Sequence, residues 1–134
     1  MTEPQIPYMD EFKEYLHTVD GLADRTIRRH VENAEDFIYY MSTHGYEADY
    51  NCKEEELPMD DNLLRRGMEF LEVYFSYFLL HKACVSADEL RQSSGSIKKL
   101  YRSLAYKGIV SEEMCVGIID EIKEGVRYWM EECG

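Results

Sequence analysis

One segment of this acidic sequence carries cations and no acid. It lies between Glu89 and Glu112, in a chain whose formal net charge is −12. Its five cations are Arg91, Lys98, Lys99, Arg102 and Lys107. On a helix, Lys98 and Arg102 are four residues apart and Lys99 and Arg102 are three apart, so they share one side. Because ammonium and guanidinium groups bind phosphate oxygens strongly, the spacing predicts a strip that contacts phosphates. The alternative is a solvated face that pairs with acidic surface of this chain or of a partner.

A second group of cations lies in the first turns of a predicted helix. Its members are Arg25, Arg28 and Arg29. The positive end of the helix dipole disfavours cations there, while the free backbone N–H groups attract anions such as phosphate. This placement predicts a second set of phosphate contacts. In the alternative, Arg28 pairs with Glu32. Arg25 would then pair with Asp24 or Glu35, in contacts worth only tenths of a kcal/mol.

The sequence contains no motif for catalysis or for metal binding. The four cysteines form no C-x-x-C pair, and the four histidines do not lie at zinc-ligand spacing from them. Glu69 and Glu72 are the nearest pair of acids in an apolar run, and they fit an exposed helix strip better than an acid–base pair. Gly-rich phosphate loops and nucleophile elbows are also absent. We therefore expect no catalytic residue, metal, cofactor or small-molecule substrate.

Length and composition indicate one folded domain over residues 1–134. The chain is 45% apolar and 13% aromatic, and it is long enough to bury a core without disulfides. The N-terminal segment is acidic, and the most apolar stretch, 68–80, is too short to span a bilayer. We expect a cytoplasmic protein without membrane contact. Since the net charge repels nucleic acid at long range, only a local basic face would bind it.

Apolar residues recur at helical spacing in five segments, and no strand pattern occurs. The sequence therefore predicts an all-α fold, a compact bundle of about five helices. The first helix covers about 8–18, and the second runs from an N-cap at Asp24 to about His44, before Gly45. Its apolar stripe comprises Ile27, Val31, Ala34, Ile38 and Met41. A polar connector follows the second helix.

The third predicted helix starts near Asp60 or Asp61 and reaches about Cys84. Its main apolar face comprises Leu64, Met68, Leu71, Phe75, Phe78 and Leu79. Four further residues extend the apolar character round the helix, namely Val73, Tyr74, Tyr77 and Leu80. We therefore expect this helix to be central and buried on most sides.

Local signals mark the ends of the last two predicted helices. Ser86 and Glu89 match a capping box, and Gly108 matches the residue after a helix end, where the flanking Leu104 and Ile109 meet. The stretch SSGS (93–96) predicts a break, since Gly and Ser are weak helix formers. The fifth helix starts at Ser111, and its predicted buried stripe ends at Trp129. The stripe fits either a helix that completes the bundle or a docking helix.

Two stretches together resemble a known domain. The stretch FKEYLHTVDGLADRTIRRHVENAEDFIYYM (12–41) resembles the opening of the core-binding, SAM-like domain of tyrosine recombinases and phage integrases. The stretch SIKKLYRSLAYKGIV (96–110) resembles the last helix of that domain. The resemblance covers residues 8–110 and leaves 111–134 as an additional C-terminal helix. It implies a stand-alone relative of a DNA-clamping module.

The resemblance does not carry the chemistry of that family over to this sequence. Catalysis there belongs to a second, larger domain with a His-x-x-Arg pair and a tyrosine nucleophile. No histidine of this chain is followed by Arg three residues on, and only one predicted helix follows Val110. We therefore expect a non-catalytic domain that binds DNA weakly or has an accessory role in DNA recombination. The alternative is an acidic protein–protein interaction module that binds a basic partner or self-associates.

Overall fold

The computed structural model describes residues 5–44, 56–83 and 85–133, and within these ranges the chain is helical, without strands. This confirms the all-α prediction. The helices are α1 (Met9–Thr18), α2 (Asp24–His44), α3 (Asp61–Arg65), α4 (Gly67–Val73), α5 (Ala87–Tyr106) and α6 (Glu112–Glu132). A π-helical segment, Tyr74–Lys82, continues directly from α4. No helix in the described part of the chain has the length and apolar character needed to cross a membrane.

Helix α5 is the centre of the bundle. It packs against α1, α2 and α6, while α6 also contacts α4 and the π-helical segment. The α5 residues Ile97, Leu100 and Tyr101 are completely buried. The ring of Trp129 in α6 stacks on Phe75 with centroids 4.6 Å apart. Helix α6 therefore contributes to the core and completes the bundle.

The predicted signals at both ends of α5 are confirmed. The Ser86 hydroxyl accepts from the backbone N–H of Glu89, and the Glu89 carboxylate accepts from the N–H of Ser86. At the other end, Gly108 has φ +79°. The N–H of Ile109 donates to the carbonyl of Leu104 at 2.9 Å, as in a Schellman cap. Ser111 then caps α6 by accepting from the N–H of Met114.

The predicted break at residues 93–96 does not occur, because packing overrides the weak helix propensity of this stretch. Helix α5 runs unbroken through it, with Ser93, Ser94 and Ser96 buried. The hydroxyl of Ser94 donates to the carbonyl of Arg91 at 2.6 Å, and that of Ser96 donates to the carbonyl of Gln92. The hydroxyls of Ser94 and Ser96 are therefore satisfied within the helix.

The third predicted helix is wrong as a single buried element. Asp60 caps α3 by accepting from the N–H of Leu63, but the helix ends at Arg65 and a second one begins at Gly67. The hydroxyl of Tyr101 lies beside Gly67, so closely that a Cβ there would overlap it. This close approach from α5 accompanies the break.

The burial of the third segment also differs from its prediction. Met68 of the predicted main face is 41% exposed, and Val73 and Tyr77 of the apolar extension are 42% and 50% exposed. Phe70, which is outside the predicted face, is buried. Most of the predicted main face is nevertheless confirmed, because four of its six residues are buried: Leu64, Leu71, Phe75 and Leu79. The segment is therefore half-exposed and not central.

Helix α2 matches its predicted stripe, with one change at its start. Ile27, Val31 and Ala34 are buried, as are Ile38 and Met41. Asp24 is the first helical residue and not the residue before it. Gly45 and residues 46–55 of the predicted loop lie outside the described residues, whereas 56–60 are non-helical. There the N–H of Leu57 donates to the carbonyl of Ser42 at 2.8 Å, which fixes the chain to the end of α2.

Candidate nucleic-acid interface

A polar contact joins α2 to α5 in the middle of the bundle. The Nδ1 atom of His30 lies 2.7 Å from the hydroxyl of Ser96, and the Asn33 amide donates to the same oxygen at 3.0 Å. Because the Ser96 hydroxyl donates its proton to the carbonyl of Gln92, the imidazole must be the donor in the His30 contact. Ser96 is completely buried, so its hydroxyl is out of reach of a substrate and the contact positions the two helices.

This contact brings one residue from each predicted basic group to the same place. Burial lowers the pKa of His30, and the charges of Lys99 and Arg29 lower it further. Both cations are therefore close to one imidazole. Arg29 is exposed on α2, and Lys99 on α5 forms a salt bridge with Asp20 at 3.1 Å. One residue from each basic group therefore acts on the same imidazole, while Asp20 opposes them.

The cations of α5 are joined by a lysine of α6. Burial lowers the pKa of Lys98, and the charges of Arg102, Lys123 and Lys99 lower it further, in that order. Sequence reasoning missed Lys123, which stands among the acidic residues of α6. Because α6 packs on α5, the charge of Lys123 acts on Lys98, and no local signal in the sequence marks this relationship.

We define the basic face by five cations, namely the four whose charges act on His30 or Lys98, together with Lys98 itself. They are Arg29 on α2, Lys98, Lys99 and Arg102 on α5, and Lys123 on α6. Among the residues that the structure describes, only Lys99 of this set forms an ion pair with a carboxylate. The basic face is therefore a local concentration of positive charge on an acidic body, with little internal neutralisation.

Arg25 and Arg28, the other two predicted phosphate contacts, extend from α2 in different directions. Arg25 is exposed one turn before Arg29, so it extends the same side of α2. Arg28 lines a cleft between α1 and α2 together with four acids. Those acids are Glu14, Asp24, Glu32 and Glu35. The ion pairs considered for Arg25 and Arg28 do not form within the described ranges. The structure therefore does not unite Arg28 with the basic face.

Metal-binding groups do not come together in the part of the chain that the structure describes. No cluster of three or more His, Cys, Asp or Glu side chains occurs there. The thiol of Cys115 is buried, and burial raises its pKa, as does the charge of Glu112, while Arg102 opposes this effect. A thiol held in its neutral form is a poor nucleophile and a poor metal ligand.

Comparison of the chain with protein-family models, with curated proteins and with solved structures finds no match in any of the three.

Proposed function

We propose that this protein is a non-catalytic helical domain that binds the backbone of DNA through the basic face. The observation that carries the proposal is the crowding of Lys98 by Arg102, Lys123 and Lys99 without a matching set of carboxylates. Like charges at this spacing destabilise the folded chain. A bound polyanion would remove that repulsion, which makes DNA phosphates the fitting ligand.

The same charges set the expected strength of binding. The basic face offers five cations, but the chain as a whole carries −12, and long-range repulsion from phosphates opposes association. Binding should therefore be weak at physiological salt and stronger when salt is low. None of the contacts described distinguishes one base from another, so we propose backbone contact without sequence readout.

The proposal includes a relationship to the core-binding domains of tyrosine recombinases. It is supported by the resemblance of residues 12–41 and 96–110, the two stretches that contain Arg29 and Lys98. In this proposal, the chain is a relative of the DNA-clamping module that works beside a DNA-processing partner. The relationship adds no catalytic step to this chain.

A salt titration tests the proposed DNA binding. Fluorescence anisotropy of labelled duplex and four-way-branched DNA would be measured with the full chain from about 20 to 200 mM salt. If each of the five cations of the basic face neutralises one phosphate, log K falls with log salt with a slope of about −4.5. Absence of any binding at the lowest salt would overturn the proposal.

A protein-interaction module is the second candidate function. It is favoured by the exposed apolar side chains of Val73 at the end of α4 and Tyr77 in the π-helical segment. These residues are about one turn apart, and they are 42% and 50% exposed. A basic partner would be attracted to the acidic body, and a second copy could use its basic face. If DNA does not bind, sedimentation of the chain at several concentrations would show whether it self-associates.

A further inference from the structure

A cavity of about 370 Å³ lies between α2, the π-helical segment and the first turns of α5. Its size falls within the range of small-molecule sites, roughly 300–1,000 Å³. The cavity is separate from the contacts proposed for DNA, except that Arg29 reaches one end of it. It therefore raises the question of which ligand its walls would recognise.

Aromatic rings form one wall of the cavity. Tyr40 lies with its centroid 5.0 Å from that of Tyr74 and 4.7 Å from that of Phe78. His44 lies next to both Tyr40 and Phe78, with centroids 5.5 and 5.2 Å away. All four residues line the cavity. Aromatic faces carry partial negative charge and attract cations.

The hydroxyl of Tyr74 is a polar group of this wall, and it has no hydrogen-bond partner among the described residues. Tyr74 is only 1% exposed, and it forms ring contacts but no hydrogen bond within the described part of the chain. No polar side-chain atom sealed away from solvent lacks a partner there, so the hydroxyl must open into the cavity that Tyr74 lines. Water that enters the cavity can satisfy this hydroxyl, and a polar group of a ligand can take the place of that water.

A carboxylate also lines the cavity, and its charge acts on Tyr74. Asp36 lines the cavity, and its charge raises the pKa of Tyr74 further after burial has done so. Burial raises the pKa of Asp36 itself, and the charge of Glu32 raises it further. Asp36 forms no salt bridge with a cation among the described residues. Arg29, the cation that lines the same cavity, lies two helical turns away on α2, about 10 Å along the helix axis. The carboxylate is therefore available to a cation from outside.

We propose that this cavity binds a small organic cation, an amine or ammonium compound with an apolar body. The body packs against Tyr40, Tyr74 and Phe78. The ammonium group pairs with the Asp36 carboxylate and donates to the Tyr74 hydroxyl oxygen. Such a ligand matches all three features of the cavity, whereas an anion would be attracted only to Arg29 at its far end. This site does not depend on DNA binding.

A series of three probes with one shape and different charge tests the proposal. The probes are benzylamine, benzyl alcohol and benzoate, titrated into the 15N-labelled chain at pH 7. We expect benzylamine to bind at least tenfold more tightly than benzyl alcohol, with shifts centred on Tyr74 and Phe78, and benzoate not to bind. Equal binding of amine and alcohol, preferential binding of benzoate, or no binding of any probe would overturn the proposal.

Two matched variants locate the cation. Asp36→Asn keeps the shape of the side chain and should weaken benzylamine binding about tenfold. Glu32→Gln removes the acid one turn earlier on α2. Glu32 lines the α1–α2 cleft and not this cavity, so the affinity for benzylamine should stay within twofold. If both variants bind benzylamine like the unmodified chain, Asp36 is not the anchor and the proposed site is wrong. The probe series on the unmodified chain decides the matter even if a variant fails to fold.

Discussion

The imidazole of His30 donates to the hydroxyl of Ser96 across 2.7 Å, and this contact sets α2 beside α5. Arg29 is next to His30 in the chain, and both Arg29 and Lys99 are near enough to lower the pKa of the imidazole. This part-buried hydrogen bond thus joins the two helices that carry these cations. The proposed DNA contact depends on this arrangement.

The pKa of His30 predicts how stability changes with pH. The folded chain holds this pKa below its ordinary 6.5, so the unfolded chain binds protons first as the pH falls. The contribution of His30 is complete above pH 6.5 and decreases as the pH falls from there towards the folded-state pKa. Arg29 and Lys99 favour the neutral ring, and Asp20 opposes them.

The variant His30→Asn tests this dependence. Asparagine keeps an N–H donor near the position of Nδ1 but does not titrate. In urea unfolding followed by circular dichroism, the free energy of unfolding should fall less between pH 7.5 and 5 for His30→Asn than for the unmodified chain. Parallel pH profiles would show that His30 is not held neutral by the fold.

Replacement of Lys98 should raise the stability of the fold and weaken DNA binding. Lys98→Met removes a cation crowded by Arg102 one turn away and keeps the apolar stem, so the free energy of unfolding should rise by roughly 0.2–0.5 kcal/mol. The same change should weaken DNA binding and reduce the salt slope by about one. Urea unfolding and the salt titration measure the two effects.

Lys107→Met is the matched control for Lys98. Lys107 is the C-cap that follows α5, where the helix dipole favours a cation, and its ammonium group lies 6.0 Å from the centroid of the Tyr106 ring. Its replacement should lower the free energy of unfolding slightly, by roughly 0.3–1 kcal/mol. A loss of stability in Lys98→Met as large as in Lys107→Met would contradict the crowding of Lys98.

Substitution of glycine by alanine should have opposite effects on the free energy of unfolding at Gly67 and at Gly95. In Gly67→Ala the new methyl group would overlap the Tyr101 side chain, which is completely buried and donates to the carbonyl of Leu64 at 2.6 Å. The free energy of unfolding should fall by about 1–3 kcal/mol. In Gly95→Ala the methyl group meets nothing within 4 Å, and stability should rise by about 0.5–1 kcal/mol. Chemical unfolding measures both, and a stable Gly67→Ala variant would mean that Tyr101 can move aside.

These glycines also show what could be predicted from the sequence. The caps at Ser86, Ser111 and Gly108 were predictable because each signal and its partner lie within a few residues of one another. The interruption of the helix before Gly67 could not be predicted, because Tyr101, which packs beside Gly67, is far away in the sequence. Local patterns give the ends of helices, and contacts between helices decide where a long apolar run is interrupted.

The candidate site, like the fold, could be predicted from the sequence only in part. The cations of α2 and α5 stand out as clusters in the sequence, so Arg29, Lys98 and Arg102 could be named in advance. Which of them share a surface depends on the packing of three helices, and this packing adds Lys123 and separates Arg28. The aromatic cavity gave no signal, since Tyr-rich helices usually bury their rings in a core.

The central claim is that DNA binds the basic face and not the protein's charge in general. Two double variants with the same formal net charge separate these cases. Lys98→Glu with Arg102→Glu reverses the basic face, whereas Lys13→Glu with Arg28→Glu reverses two cations of the α1–α2 cleft. Circular dichroism first verifies that both remain helical.

Anisotropy of labelled duplex DNA at about 20 mM salt then gives the affinity of each variant. We predict that reversal of Lys98 and Arg102 abolishes binding, while reversal of Lys13 and Arg28 leaves the affinity within about threefold of the unmodified chain. Equal losses in both variants, or undiminished binding after reversal of Lys98 and Arg102, would contradict the proposed interface.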